Sequence, residues 1–240
     1  MSAYAFPFTE IEYPDSDGLP MAESDFRREC LTYAVEALRG HFRERDDVYV
    51  SGNLFVYYEE GNPKAVVAPD VFVVIGASNH DRPSYKLWNE PKGPDFVLEI
   101  TSKSTRGEDQ GAKRGIYAYL GVPEYWQYDP TGDYLDPPLQ GFQLIERNYW
   151  PLRVVVPLPG GFSLRSEVLG LDLRLEEGVF RFHDPRAGRK LLSYVEAEQA
   201  RLAAEANASR ELALRQAAEV RLAELEARLR RGSDPDKAGR

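Results

Sequence analysis

Residues 94–129 read PDFVLEITSKSTRGEDQGAKRGIYAYLGVPEYWQYD, and this run decides the fold. Phe96, Val97, Leu98 and Ile100 are too continuously apolar for a strand with one wet face, which predicts a strand covered on both sides. Residues 108–120 have helical character, and Gly121-Val122-Pro123 ends that helix before a further strand, Glu124-Tyr125-Trp126-Gln127-Tyr128. Strand, helix and strand within so short a span predict a parallel pair joined by a crossover.

Upstream, residues 48–58 alternate with Val48, Val50, Leu54, Val56 and Tyr58 on one parity, the period of a strand. Gly61-Asn62-Pro63 makes a turn. Residues 65–75 form another β-rich run, in which Pro69 predicts a sheet edge, a bend or a bulge. Leu31, Val35, Leu38 and Phe42 recur at helical spacing, giving an amphipathic helix from an N-cap at Ser24 to about Arg45. Before it, Pro7, Pro14, Gly18 and Pro20 favour an extended arm over residues 1–22. Downstream, short β segments are expected near 142–147, 152–156 and 171–182.

Residues 190–231 hold neither Gly nor Pro and are rich in Ala, Glu, Arg and Leu, so they read as one long helix. Leu192, Val195, Leu202, Ala206 and Ala213 fit one apolar repeat, and Leu222, Leu225 and Leu229 fit another in a shifted register. A coiled coil, and with it a homo-oligomer, most simply a dimer, is the expectation. The organisation predicted is an arm over 1–22, a main folded domain over 23–188, the long helix over 189–231 and a disordered tail over 232–240.

The 240 residues carry one cysteine, Cys30, and no run approaching the roughly 20 apolar residues of a bilayer-spanning helix. The first residues lack the basic stretch and apolar run of a secretory signal, so a soluble cytoplasmic protein is expected. A net charge of −9 argues against nucleic acid as a partner. Yet Lys86, Lys92, Lys103, Arg106, Lys113 and Arg114 all fall in the middle third, and local potential matters more than the sum.

Two acids stand where apolar residues would be expected: Asp70 after Pro69, and Glu99 within the 94–101 strand. Charged side chains in strand-like apolar runs are costly unless paired or metal-bound, so acids on neighbouring strands point to a shared cation. Mg²⁺, or Mn²⁺ in its place, fits two carboxylates, a carbonyl and several waters. The competing reading is a pair of salt-bridged structural acids. His41, His80 and His183 lack metal-ligand spacing, and Cys30 reads as a small core residue. Trp126, Tyr125 and Tyr117 read as core aromatics. Arg82 and Lys86 share a loop with Tyr85 and Trp88, a mixture that could touch nucleic acid.

The segment with Asp95-Phe96-Val97-Leu98-Glu99, Ser102-Lys103-Ser104-Thr105, Asp109, Lys113, Tyr117 and Gly121-Val122-Pro123-Glu124-Tyr125-Trp126, preceded by Pro69-Asp70-Val71-Phe72-Val73-Val74, resembles the Uma-type endonuclease family over approximately residues 20–183. The resemblance implies the restriction-endonuclease-like PD-(D/E)XK fold. That is an α/β mixed central sheet flanked by helices, here with additional β segments and a long C-terminal helix, and with the metal site where two strands diverge. It implies Asp70 and Glu99 as ligands of Mg²⁺ or Mn²⁺ together with the Ile100 carbonyl. The motif lysine normally stands two residues after the acid, where this chain has Thr101; the role is carried over to Lys113, with Lys103 as the alternative. Glu23 matches the family's acid on the first helix and is either a water-bridged ligand or a carboxylate at a helix N-terminus. Ser102 and Ser104 either cap the following helix or touch a phosphate. The implied activity is hydrolysis of phosphodiester bonds, most simply in DNA. The alternative is an inactive nuclease-fold module working in nucleic-acid binding or assembly through its helical tail.

Overall fold

The computed structural model describes residues 11–14, 25–101, 107, 109–152 and 156–232. The chain divides into two compact units, Met1–Leu191 and Leu192–Arg240.

The first unit begins with helix α1 (Asp25–His41), followed by β1 (Val48–Ser51), β2 (Val56–Tyr57), β3 (Val66–Val67), β4 (Val71–Ile75) and β5 (Tyr85–Lys86). Strand β6 (Phe96–Ile100) follows; a π-helical turn (Asp109–Lys113) then leads into α2 (Arg114–Leu120) and β7 (Glu124–Tyr128). Strands β8 (Leu139–Ile145) and β9 (Asn148–Pro151) form a hairpin, and β10 (Val156–Leu158), β11 (Gly161–Ser166), β12 (Leu171–Glu176), β13 (Val179–Asp184) and β14 (Arg189–Lys190) form an antiparallel meander.

The central sheet has the order β1-β4-β6-β7-β8-β9, in which β6 and β7 run parallel and every other neighbouring pair runs antiparallel. It is therefore a mixed sheet, as expected. The parallel pair encloses α2, and Gly121 ends that helix with φ +75°, a left-handed conformation that glycine adopts without a Cβ penalty. Its N–H and that of Val122 return to the carbonyls of Ala118 and Tyr117 at 3.2 and 3.0 Å, so the chain turns directly into β7.

Alternation along the strands divides the core. Val71, Val73, Phe96, Leu98, Ile100, Trp126 and Tyr128 face α1, where Ala34, Val35 and Leu38 are buried. Phe72, Val74, Val97 and Tyr125 face the opposite side and pack with Tyr117 of α2. The continuous apolarity of β6 thus comes from cover on both faces. Leu171, Leu173, Leu175, Phe180 and Phe182 of the five-stranded sheet close over α1, and the Tyr33 hydroxyl ties the layers by donating to the Leu191 carbonyl and accepting from the Phe182 N–H.

The run 48–58, expected as one strand, is two: β1 belongs to the central sheet and β2 to a three-stranded sheet of order β3-β2-β5. Likewise 65–75 splits into β3 and β4 on either side of Pro69, where the chain changes sheets. The Asn53 N–H donates to the Pro69 carbonyl at 2.9 Å, clamping the two breaks together. Beside it, a Cβ on Gly52 would collide with the Asp70 carbonyl oxygen and lie 2.9 Å from Val35. Only glycine lets β1 leave the sheet there. Gly52→Ala is expected to cost about 1–3 kcal/mol, the usual range for overpacking, and to push Asp70 out of place; an unchanged urea midpoint would contradict this.

Of the expected arm, residues 11–14 lie against the first unit: Tyr13 packs on Tyr57 and Trp88, and the Tyr57 hydroxyl donates to the Pro14 carbonyl. Ser24, expected as the N-cap of α1, lies outside the described residues.

The second unit is α3 (Tyr194–Gly232), shorter at its start than the sequence pattern indicates. Residues 189–190 pair with β13 instead, and a capping box sets the true beginning. Ser193 Oγ accepts from the Glu196 N–H at 3.3 Å, and the Glu196 carboxylate accepts from the Ser193 N–H at 2.9 Å. Along α3, Leu202, Leu212, Leu214, Leu222, Leu225 and Leu229 are exposed.

Candidate metal centre

Pairing between β4 and β6 runs from Val73↔Phe96 to Val71↔Leu98. One step further along that register stands Asp70 opposite Glu99, and both acids are buried, at 1% and 0% exposure. Directly opposed residues on antiparallel strands lie on the same face with Cβ atoms about 5 Å apart. By alternation that face is the one carrying Val97, Tyr125 and Tyr117.

At this point the two backbones stop pairing, and a side chain takes over the ladder. Asp70 Oδ2 accepts the Ile100 N–H at 2.7 Å, while Asp70 Oδ1 accepts from Arg27 Nη2 at 2.6 Å. Arg27 comes from the first turns of α1. Glu99 is held from the other side. Its Oε2 accepts from Lys113 Nζ at 2.8 Å and its Oε1 from the Tyr117 hydroxyl at 2.5 Å. Lys113 ends the π-helical turn and Tyr117 stands four residues later, so both project toward the strand end from one face of the helix. Each buried carboxylate is thus matched by a mostly buried cation, which offsets the desolvation cost of both.

Burial, and after it the charge of Glu99, holds the Tyr117 hydroxyl well above its usual pKa, with Asp70 adding in the same direction. Tyr117 therefore stays a proton donor to Glu99.

Thr101 and Gln127 complete the surroundings. Glu99 registers with Gln127 across the parallel pair, and the Thr101 N–H continues that ladder to the Tyr128 carbonyl at 2.7 Å. Both side chains are buried, at 2% and 1% exposure, and Thr101 Oγ1 and Gln127 Nε2 find no hydrogen-bond partner among the described residues.

Among the described residues no three His, Cys, Asp or Glu side chains gather as a metal site. The donor set here is two hard carboxylates at a strand divergence, which suits Mg²⁺ or Mn²⁺, cations that take one or two carboxylates and keep several waters. It offers none of the His or Cys ligands that Zn²⁺ sites are usually built around.

With that geometry in view, a family model described as "Uma2: Putative restriction endonuclease" matches residues 9–176. The chain belongs to the Uma2 family. The Uma2 match contains Asp70, Glu99, Lys113 and Tyr117, and it ends before β13 and α3. Among solved structures, one similar chain is "a putative nuclease belonging to DUF820" from Anabaena variabilis ATCC 29413, with 13% identity and a TM-score of 0.42 over 58% of this chain and 75% of that one. No curated protein matches.

The structure thus brings Asp70, Glu99, Lys113 and the Ile100 backbone together. Glu23, Ser102, Lys103 and Ser104 lie outside the described residues. Arg82 and Lys86, the expected nucleic-acid contacts, both make contacts within the fold. Arg82 makes a two-point ion pair with Glu90 at 2.7 and 2.9 Å, donates to the carbonyls of Ser78 and His80, and stacks on Tyr49. Lys86 sits over the Tyr13 ring. Two other middle-third cations also make contacts within the fold, Lys92 with Asp95 and Arg114 over Phe142. Cys30 is half-buried against the core, where burial pushes its thiol up to about 11 and keeps it unreactive.

Two residues of the site escape a reading of the sequence. Arg27 carries the cation that meets Asp70, and nothing in its own stretch of sequence marks it. Tyr117 reads as a core aromatic, yet its i+4 spacing puts it on the helical face of Lys113, and its hydroxyl donates to Glu99.

Proposed function

We propose that this Uma2 protein is a divalent-metal-dependent endonuclease that hydrolyses phosphodiester bonds in DNA. The observation that carries the reading is the placement of Asp70 and Glu99 opposite each other at the divergence of β4 and β6, with an ammonium group from the next helix on Glu99. Asp70, Glu99 and the Ile100 carbonyl would hold the cation. When bound, that ion supplies Lewis acidity toward a phosphate oxygen and lowers the pKa of a coordinated water.

The chain's own residues account for the rest. Ile100 N–H fixes one oxygen of Asp70, and Tyr117 fixes one oxygen of Glu99, so neither carboxylate rotates freely. Lys113 lies where its charge can offset negative charge growing on the phosphoryl group or orient the attacking water. Arg27 pairs with Asp70 and offsets its charge without the cation. Incubation of supercoiled plasmid and oligonucleotide DNA with Mg²⁺ or Mn²⁺ tests the proposal: cleavage dependent on the metal and on both acids supports it, and cleavage undiminished in Asp70→Asn and Glu99→Gln overturns it.

The ion pairs of Asp70 and Glu99 with the chain's own cations favour a second reading, a nuclease fold used for binding or assembly. Absence of any Mg²⁺, Mn²⁺ or Ca²⁺ effect on the melting temperature would select it. In either case α3, with its exposed leucines, is proposed to self-associate, most simply as a dimer. Light scattering of the full chain is expected to give a dimer and of a Leu222→Glu, Leu225→Glu, Leu229→Glu variant a monomer; identical masses would remove the idea.

A further inference from the structure

Two polar groups beside the acid pair have no use in the fold. Thr101 Oγ1 and Gln127 Nε2 are fully buried and lack hydrogen-bond partners among the described residues. Leaving a buried donor unsatisfied is unfavourable, and native proteins rarely do so without a reason. Their positions are close to the proposed metal ligands. Gln127 is the registered neighbour of Glu99 across the β6–β7 ladder, where adjacent strands lie about 4.8 Å apart. Thr101 is two residues beyond Glu99 on the same strand direction, and alternation returns its side chain to the face of Glu99.

Both groups can donate a hydrogen bond, so what they lack is an acceptor. The acceptors in the neighbourhood are already taken: the oxygens of Asp70 and Glu99 receive Arg27, Ile100, Lys113 and Tyr117. An incoming anion is the missing partner. Arg27 and Lys113 already offset the two carboxylates, so a divalent cation joining them adds net positive charge, which makes the two binding events favour each other.

Resting on the metal-dependent reading above, we propose that Thr101 and Gln127 form a phosphate-oxygen subsite that fills only after a divalent cation has joined Asp70 and Glu99. The hydroxyl and the amide would hold a non-bridging oxygen of the phosphodiester and place the phosphorus against the metal centre. This gives the position two residues after the acid a binding role through a neutral donor, while the ammonium group comes from Lys113.

The test uses the full chain, Mn²⁺ and thymidine 5′-monophosphate, a product-like probe, with binding read by calorimetry. In the wild-type protein the nucleotide is expected to bind in the presence of Mn²⁺ and not in its absence. Thr101→Val and Gln127→Leu are each expected to weaken nucleotide binding roughly tenfold, the scale of one hydrogen bond to a charged group, while Mn²⁺ affinity stays unchanged. The same variants should raise the melting temperature of the cation-free protein by a few degrees, because each deletes an unsatisfied buried group. A role confined to stabilising the fold would lower it. Nucleotide binding independent of Mn²⁺, or unaltered in both variants, overturns this subsite and leaves the metal centre standing. Failure of the wild-type protein to bind Mn²⁺ overturns the metal centre and the subsite together.

Discussion

Glu99→Gln is expected to slow metal-dependent DNA cleavage by about a thousandfold while leaving the protein folded, the scale that follows from several kcal/mol of transition-state charge stabilisation by a bound cation. The substitution keeps the shape of a fully buried side chain and an acceptor for the Tyr117 hydroxyl. What it removes is the charge that pairs with Lys113 and that a hard cation requires. Asp70→Asn acts in the same way at the other ligand and retains an oxygen for the Ile100 N–H. Nicking of supercoiled plasmid, with circular dichroism as the control for folding, reads the effect. Rates within a factor of three of wild type in both variants would show that the acids are structural.

The second large effect concerns stability. Glu124→Ala is expected to destabilise the protein by on the order of 4 kcal/mol, because its carboxylate is buried and several of its donors would be left without a partner. One oxygen accepts from Trp126 Nε1 at 3.1 Å and Ser166 Oγ at 2.6 Å; the other accepts from the Glu167 and Val168 N–H groups at 2.8 and 3.1 Å. Glu124 opens β7 of the central sheet, while Ser166 ends β11 of the meander and Glu167 and Val168 follow it, so one side chain joins the two sheets. Trp126 is fixed further by Gly141 on β8, where a Cβ would lie 2.6 Å from the indole ring. Urea denaturation measures the change; a loss below about 1 kcal/mol would mean that water replaces the carboxylate at its four donors.

The acid pair was legible because a charge inside an apolar strand is unusual wherever it occurs, and Asp70 and Glu99 each break such a run. The β6–α2–β7 unit was legible for a similar reason, with Gly121 and Pro123 marking where helix gives way to strand. The breaks at 52 and 69 were harder to see. Alternation continues through Leu54 and Val56, and nothing local shows that Gly52 must clear the Asp70 carbonyl, a contact made by residues 18 positions apart. The partners of the acids were hidden in the same way. Arg27 is one arginine among many on a helix surface until the fold brings α1 to the end of β4, and a glutamine in a strand gives no sign that its amide is unpaired. The start of α3 was available in Ser193 and Glu196, where serine, two residues and glutamate form a capping box; a criterion of helix propensity alone passes over it.

Two acids from adjacent strands are proposed to share one divalent cation, and Mn²⁺ binding followed by calorimetry decides whether they do. The wild-type protein is expected to bind one strongly held Mn²⁺ per chain, with Asp70→Asn and Glu99→Gln each abolishing that event. Wild-type protein that binds no Mn²⁺, or variants that bind it as wild type does, would mean that Asp70 and Glu99 are not its ligands.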